Sequence, residues 1–173
     1  IGCGPVGIMT IIGAIDLGAE KIFAIDTLET RLEMAAKYGA TPVNALKANP
    51  IMVIKEATEG RGADGVMEAV GNAATAKLAY DLVRAGGIIS MVGVCNDEHM
   101  SFSPAQAYNK NLTFKVGRCP ARYLMDKVLP IVESRRYNFT DVVTHRMPLV
   151  EGAQGYNLFA NQKESCLKII LSR

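Results

Sequence analysis

Ile1-Gly2-Cys3-Gly4-Pro5-Val6-Gly7 opens the chain with the pattern G-x-G-x-x-G. The residues after it predict a helix, because apolar side chains recur there at the i, i+3, i+4 and i+7 spacing of one helical face. Those side chains are Ile8, Ile11, Ile12 and Ile15. A glycine-rich turn that leads into a helix leaves backbone N–H groups free at the positive end of the helix dipole. The stretch therefore predicts a binding site for a pyrophosphate.

Each of the three glycines in this pattern has its own predicted role. Gly2 makes the turn, Gly4 lets the backbone approach the phosphates, and Gly7 lets the helix pack closely on a strand. The pattern indicates a dinucleotide only when a strand precedes it and an acidic residue follows about 20 residues later. Ile1 alone precedes Gly2, and one residue is too short for a strand of a sheet. We therefore expect the natural chain to extend upstream.

The second predicted strand, Glu20–Asp26, ends in the acidic residue that the pattern requires. Asp26 lies 19 residues after Gly7. A carboxylate there can accept hydrogen bonds from both hydroxyls of an adenosine ribose and repels a 2′-phosphate, which favours NAD over NADP. The alternative for Asp26 is a helix N-cap, because a helix is predicted from about Glu29. Arg31, one turn into that helix, either reaches back to the ribose or lies on a solvated face.

Strands and helices alternate as far as Gly117. Further strands are predicted at Thr41–Val43, Gly65–Val70, Ile88–Val92 and Leu112–Val116. The helical faces between them are predicted at Leu32, Ala35 and Ala36, at Ile51, Ile54 and Ala57, and at Ala76, Ala79, Leu82 and Val83, closed by Gly86-Gly87. Such alternation predicts the α/β class, with right-handed βαβ units in a Rossmann-type, doubly wound parallel sheet.

Ligands of such a sheet bind beyond the carboxyl ends of its strands. This rule brings four segments of the sequence to one rim of the predicted sheet. They are Gly2–Gly7, Asp26, Ala69–Gly71 and Val92–Val94. Their agreement supports a dinucleotide ligand.

The pattern changes after Gly117, which divides a predicted NAD-binding domain at 1–117 from a C-terminal segment at 118–173. Helix, strand, helix and strand are predicted there, at Tyr123–Ser134, Asp141–Thr144, Glu151–Ala160 and Cys166–Leu171. Pro130 removes a backbone hydrogen bond inside the first of these helices and should bend or split it. The segment either completes a second layer or covers another domain.

Composition indicates a globular protein with an ordinary core. Hydrophobic residues make up 49% and charged residues 21% of the 173 residues, and the net charge is +2. No run of Lys and Arg exceeds two residues and no apolar run reaches the length of a membrane span, which argues against nucleic acid and membranes as partners. The cysteines at 3, 95, 119 and 166 fit neither a zinc pattern nor a disulfide framework, so reduced thiols and a cytoplasmic location are expected.

Taken together, the motifs resemble those of the medium-chain, zinc-dependent alcohol dehydrogenases. The segments that carry the resemblance are Gly2–Gly7, Asp26 with Arg31-Leu32-Glu33, Gly62-Ala63-Asp64, Glu68–Gly71, Gly86-Gly87 and Val92–Val94. In the C-terminal segment, Gly117–Arg122 and Thr144-His145-Arg146 are similar to the formaldehyde- and polyol-dehydrogenase branch. The resemblance covers the whole chain in order. It implies an oxidoreductase that transfers hydride between an alcohol, a polyol or an aldehyde adduct and NAD.

The resemblance also implies roles for individual residues. The implied cofactor-binding set is Gly2, Gly4, Pro5, Val6, Gly7, Asp26, Arg31, Ala69, Val70, Gly71, Val92, Gly93, Val94 and Lys168. Within it, Val6 would back the nicotinamide, Ala69–Gly71 would flank the adenine-side ribose, and Val92–Val94 would present backbone groups to the carboxamide. Lys168 would reach the pyrophosphate, unless it is an ordinary strand lysine. Leu112–Val116 would pair with its twofold mate to form a homodimer or homotetramer.

The zinc ligands of this family precede the glycine pattern, and nothing in this sequence matches them. His99 and His145 have no Cys or acidic residue at ligand spacing, so no metal ligand and no catalytic residue is assigned to this chain. The resemblance therefore implies zinc for the parent protein but not for this chain. It also implies a C-terminal α/β tail that belongs to a largely absent catalytic domain, and a chain that is inactive alone.

Three other functions stay open. A zinc-free, quinone-reductase-like enzyme of the same superfamily would use NADPH, but such enzymes usually carry Gly-Gly-Val-Gly in the turn and basic residues after the second strand, where this chain has Pro5 and Asp26. A non-catalytic NAD-sensing or oligomerisation module would be complete as it stands, which the truncated first strand opposes. An S-adenosylmethionine methyltransferase also uses G-x-G turns, but Val92–Val94 and the C-terminal segment do not fit it.

Overall fold

The computed structural model describes residues 1–161 and 165–173. Within those residues the strands are β1 (Phe23–Asp26), β2 (Thr41–Asn44), β3 (Ala63–Glu68), β4 (Val83–Met91), β5 (Thr113–Val116), β6 (His145–Pro148) and β7 (Ile169–Ser172). The helices are α1 (Pro5–Asp16), α2 (Glu29–Lys37), α3 (Pro50–Ala57), α4 (Ala73–Leu82), α5 (Pro104–Asn109), α6 (Ala121–Glu133) and α7 (Gly152–Asn161). Short 3-10 turns occur at Phe139–Val142 and Leu149–Glu151.

The first two residues join two parallel sheets. β1 pairs with β2, and β4 lies between β3 and β5. Between them, the Gly2 N–H donates to the Ile25 carbonyl at 2.8 Å, and the Ala69 N–H donates to the Ile1 carbonyl at 2.8 Å. The order across the molecule is therefore β2, β1, Ile1-Gly2, β3, β4, β5. The strand order reverses at the glycine turn, which is the switch point where doubly wound sheets bind ligands.

Helices cover both faces of this sheet. One buried cluster packs α3 and α4 on the sheet, and it includes Ile25, Val43, Ile54, Val66, Leu82 and Ile89. The other packs α1 and α2 on the opposite face, and it includes Cys3, Ile8, Ile12, Ala24, Leu32 and Ala35. Ala24 and Ile25 are neighbours in β1 but belong to opposite clusters, because successive side chains of a strand point to opposite faces. The predicted α/β class and doubly wound parallel arrangement are confirmed.

The C-terminal segment packs on the α1–α2 face. Val142 and Leu167 are buried in the same cluster as the α1 and α2 side chains. Arg136 reaches α1, where its Nη2 lies 2.8 Å from Asp16 Oδ1. β6 and β7 pair in parallel as a separate two-stranded sheet. Helix α7, predicted at Glu151–Ala160, is confirmed.

The strand predicted at Asp141–Thr144 is wrong. Phe139–Val142 forms a 3-10 turn instead, because the Asn138 side chain accepts the Thr140 N–H at its start. The turn buries Val142 against α1, and the strand begins only at His145. In the sequence, Val142 and Val143 suggest a strand, whereas in the structure Val142 packs on α1. The local sequence pattern cannot distinguish these two arrangements.

Helix α6 runs through Pro130 without a break, so the predicted splitting does not occur. None of its residues is buried within the part of the chain that the structure describes. Its exposed apolar side chains are Tyr123, Met125, Val128, Leu129 and Val132. An amphipathic helix with its apolar face in solvent is a surface that another polypeptide normally covers.

Three smaller differences concern residues 1–117. Helix α4 ends at Leu82, and Val83 already begins β4, because the Lys110 ammonium donates to the Tyr80 and Val83 carbonyls at 2.6 and 2.8 Å. Gly86-Gly87 consequently lies inside the strand. Ala36 is exposed rather than inward. Helix α5 was not predicted, although Ser103 and Gln106 carry the S-x-x-Q signature and form a capping box.

Candidate functional site

The glycine turn is the centre of the site. Gly2 has φ +85°, and a Cβ added to it would lie 2.5 Å from Val70 Cγ2. A Cβ on Gly7 would lie 1.8 Å from the Gly2 carbonyl oxygen. Only glycine fits at both positions, and α1 thereby begins directly at the end of the Ile1-Gly2 segment.

Gly4 is different, because the space beside it is open. The nearest atom to a Cβ added there is Arg31 Nη1 at 4.0 Å. Gly4 is the N-cap of α1, Pro5 follows at the first helical position, and the Ile8 N–H makes the first helical hydrogen bond to the Gly4 carbonyl at 2.9 Å. The N–H groups of the first helical turn therefore face an open space at the positive end of the helix dipole, as an anion site requires.

Asp26 connects the glycine turn to the entry of α2. Its Oδ2 accepts the Cys3 N–H at 2.7 Å, and its Oδ1 accepts the N–H groups of Thr27 and Leu28 at 2.7 and 3.0 Å. The side chain is 7% exposed. The N-cap of α2 is Leu28, so Asp26 holds the turn before the helix rather than the cap itself. A carboxylate offers about four acceptor positions, so one stays open on Oδ2.

Arg31 places a cation beside that open position. Its Nη1 lies 3.9 Å from Asp26 Oδ2. Its Nε is buried and makes no hydrogen bond to any residue that the structure describes. A buried donor without a partner is costly, and a polar ligand next to Gly4 would satisfy it. The residues at this rim therefore fit a ligand that carries both an anionic group and hydroxyls.

A cavity of about 850 Å³ opens between these residues. Six members of the predicted set line it: Gly2, Gly4, Asp26, Arg31, Ala69 and Val70. The same cavity is also lined by residues outside the predicted set, which include Ala45, Asn72, Thr75, Leu78, Ala160 and Asn161. Ala45 directly follows β2, so the rule of carboxyl strand ends could have found it. Ala160 and Asn161 come from α7 through tertiary packing and carried no signal.

The turns after β3 and β4 lie against each other next to this cavity. A Cβ on Gly93 would lie 2.3 Å from the Gly71 nitrogen, and one on Gly71 would lie 2.3 Å from the Val94 carbonyl oxygen. Val92, Gly93 and Val94 do not line the cavity itself. They contact the rim at Gly71, next to Val70.

Lys168 does not line the cavity of about 850 Å³. It lines a smaller cavity of about 180 Å³ with Gly155, Tyr156 and Phe159 of α7. Its backbone carbonyl accepts the Thr144 and His145 N–H groups at 3.0 and 3.2 Å. The contact of Lys168 with the pyrophosphate therefore stays a prediction.

A second cavity, of about 610 Å³, lies behind the glycine turn between β1 and β3. Thr10 and Ile11 of α1 line one side of it, and Ile54 and Leu82 line the other. The Ile1 ammonium stands at its end and donates to the Met67 carbonyl at 2.7 Å. Burial lowers the pKa of this ammonium, because loss of contact with water disfavours its charged form.

Metal-binding side chains do not gather anywhere in residues 1–161 and 165–173: no three His, Cys, Asp or Glu side chains form a group that could hold an ion. His145 Nδ1 lies 2.9 Å from the Thr144 hydroxyl. All four cysteines are free thiols. Burial raises the pKa of the Cys3 thiol to about 11, and the Asp26 carboxylate adds to this. In the same residues, no helix is long and apolar enough to cross a bilayer.

Comparisons with known proteins agree with this geometry. A family profile described as zinc-binding dehydrogenase matches residues 5–134. Zinc-type alcohol dehydrogenase B of Aspergillus flavus is 37% identical over 165 residues, which cover 94% of this chain and 38% of that protein. An alcohol dehydrogenase of Cupriavidus necator is 33% identical, over 97% of this chain and 47% of its own.

Among solved structures, the alcohol dehydrogenase TADH from Thermus sp. ATN1 matches with a TM-score of 0.93 at 44% identity. The match covers 98% of this chain and 50% of that one. The chain thus spans about half the length of this structure, and half or less of the two relatives above.

Proposed function

Because this chain belongs to the zinc-binding dehydrogenase family, we propose that it is the NAD-binding portion of a zinc-dependent alcohol dehydrogenase. The whole protein would transfer hydride between a small alcohol or aldehyde and NAD. The observation that carries the proposal is the convergence of Gly2, Gly4, Asp26 and Arg31 on one cavity at the N-terminus of α1. A helix N-terminus supplies donors for a pyrophosphate, and an adjacent carboxylate supplies an acceptor for a ribose.

The chain's own residues would bind and orient the cofactor. The N–H groups at the start of α1 hold the pyrophosphate, and the open Oδ2 position of Asp26 accepts a ribose hydroxyl. Arg31 Nε donates to the same ribose. Val6 backs the nicotinamide, and the backbone of Val92–Val94 binds its carboxamide. When bound, NAD exchanges hydride with the substrate, and zinc held by another part of the parent protein acts as a Lewis acid.

The choice between NAD and NADP rests on Asp26. A 2′-phosphate would have to approach a carboxylate that is almost fully buried and already fixed by three N–H donors. Arg31 lies close enough to compensate part of that repulsion. We propose that the carboxylate dominates, because its charge lies at the position of the ribose hydroxyl, whereas the Arg31 Nε is committed to the ribose itself.

Isothermal titration of the 173-residue chain with NADH and NADPH tests the function. We expect NADH to bind, and to bind at least about tenfold more tightly than NADPH. Tighter binding of NADPH would favour the zinc-free, quinone-reductase-like alternative. Absence of binding by either dinucleotide would contradict the proposal.

Other assignments accompany this function. The domain division at 1–117 and 118–173, the formaldehyde- or polyol-dehydrogenase branch, and a contact of Lys168 with the pyrophosphate stay proposals. So do a cytoplasmic location and a homodimer or homotetramer that pairs the exposed edge of β5, where Val116 is 67% exposed. We propose that the apolar face of α6 packs on the catalytic domain. Sedimentation equilibrium of the chain would test the dimer.

A further inference from the structure

Glu68 is fully buried, and it holds two separate turns of the rim. It is the last residue of β3. Its Oε1 accepts the N–H groups of Val70 and Gly71, both at 2.8 Å. Its backbone carbonyl accepts the N–H groups of Val92 and Gly93, at 2.8 and 2.9 Å. One residue therefore binds the turn after β3 through its side chain and the turn after β4 through its main chain.

The second carboxyl oxygen is packed between these turns. Glu68 Oε2 is buried and has no hydrogen-bond partner in the residues that the structure describes. A Cβ added to Gly93 would lie 2.8 Å from it and 2.3 Å from the Gly71 nitrogen. The turns are thus in contact across the carboxyl group, and neither can approach the other without displacing it.

A buried carboxyl group between the two turns lowers the stability of the fold. Burying a polar group costs free energy unless it is fully hydrogen-bonded, and Oε2 is not. An apolar side chain of similar size would avoid that cost but could not accept the two N–H groups after β3. The arrangement therefore maintains a defined spacing between the turns at the expense of stability.

We infer that Glu68 is a positioning residue that sets the distance between the ribose-side turn, Val70-Gly71, and the carboxamide-side turn, Val92-Gly93. The inference rests on the proposed function, because Val92–Val94 are assigned to the carboxamide there. Glu68 makes no hydrogen bond to Gly4, Asp26 or Arg31. Its loss should therefore weaken binding of a dinucleotide that spans both turns more than binding of a ligand that reaches only the ribose-side turn.

Titration with NADH, which spans both turns, and with ADP-ribose, which lacks the nicotinamide ring, distinguishes these two cases. Glu68→Met should weaken NADH binding about tenfold or more and ADP-ribose binding by about threefold or less. Glu68→Gln retains an oxygen that can accept both N–H groups and should keep both affinities within about threefold of the wild type. The inference would be overturned if Glu68→Met lost affinity equally for NADH and ADP-ribose, or lost affinity for neither.

Amide hydrogen exchange of the ligand-free chain gives a second, independent measurement. In Glu68→Met, exchange should accelerate at Val70 and Gly71 and also at Val92 and Gly93, while Cys3, whose N–H is held by Asp26, stays protected. Faster exchange at Val70 and Gly71 alone would show that the turns are not coupled, and would refute the inference whether or not NADH binds. If Glu68→Met does not fold, Glu68→Asp, whose side chain is shorter by one methylene, replaces it in both measurements.

Discussion

Gly7 and Gly2 approach so closely that a Cβ on Gly7 would lie 1.8 Å from the Gly2 carbonyl oxygen. This contact joins the start of α1 to the end of the Ile1-Gly2 segment. It determines where the N–H groups of the helix point, and hence where a phosphate can bind. Backbone atoms form the contact, so no side-chain movement can relieve an added methyl group.

Gly7→Ala should therefore destabilise the chain by about 3 kcal/mol or more, because overpacking against backbone forces α1 away from the sheet. Urea unfolding at equilibrium measures this. Gly13→Ala is the matched control in the same helix, since nothing lies within 4 Å of a Cβ there. It should stabilise the chain by about 0.5–1 kcal/mol through helix propensity. Similar effects of the two substitutions would contradict the role given to Gly7.

Asp26→Asn tests whether the carboxylate selects the cofactor. The substitution removes the charge that repels a 2′-phosphate, so the preference for NADH over NADPH should narrow by about tenfold in isothermal titration. The chain should also lose about 1–3 kcal/mol of stability, because an amide cannot accept all three N–H groups. Asp64→Asn, at an exposed carboxylate paired with Arg84, is the control and should leave the cofactor preference unchanged. If the ratio of the NADH and NADPH affinities is unchanged in Asp26→Asn, then Asp26 only holds the turn before α2.

The Cys3 thiol makes stability depend on pH in the alkaline range. Its pKa is raised from the ordinary value of 9.0 to about 11 in the folded chain. Between these values the unfolded chain releases the thiol proton while the folded chain keeps it, so the free energy of unfolding falls as pH rises. We expect the wild type to lose about 2 kcal/mol more than Cys3→Ala between pH 9 and pH 11. Cys119→Ala, at an exposed cysteine, should follow the wild type, and parallel curves for Cys3→Ala and the wild type would exclude the effect.

The cavity between β1 and β3 predicts that a longer N-terminus stabilises the chain. Phe23 of β1 and Gly65 of β3 line its two edges, and residues of α1, α3 and α4 line its faces. Four apolar residues added before Ile1 should form a parallel strand there and raise the free energy of unfolding by about 2 kcal/mol or more. An extension of the same length made of Gly and Ser is the control. Equal stability of the two extended chains would contradict a strand in the cavity.

Local sequence patterns were sufficient for most helices and strands of residues 1–117. Helix α1 follows from the spacing of Ile8, Ile11 and Ile12, and α3 follows from Asn49-Pro50 at its start. These features depend on neighbours a few residues away, so tertiary structure does not change them. Gly2, with φ +85°, has the turn conformation and Gly7 has the close packing that the pattern predicts.

Contacts between distant residues could not be predicted in this way. Lys110 ends α4 at Leu82 through bonds to carbonyls almost thirty residues earlier in the chain. Asn138 and the packing of Val142 on α1 convert a predicted strand into a 3-10 turn. Lys168 lines a cavity beside α7, and Ala160 and Asn161 of the same helix line the cavity at the glycine turn.

The sequence alone therefore determined the α/β fold, the glycine turn and the order of the segments along one rim, because periodicity and turn chemistry act over short distances. Tertiary structure decided which of those segments share a cavity. It also decided that Glu68, which looks like an ordinary strand residue in sequence, is enclosed between two turns. A residue's burial and its hydrogen-bond partners depend on chain segments that meet only after folding, and no local pattern contains that information.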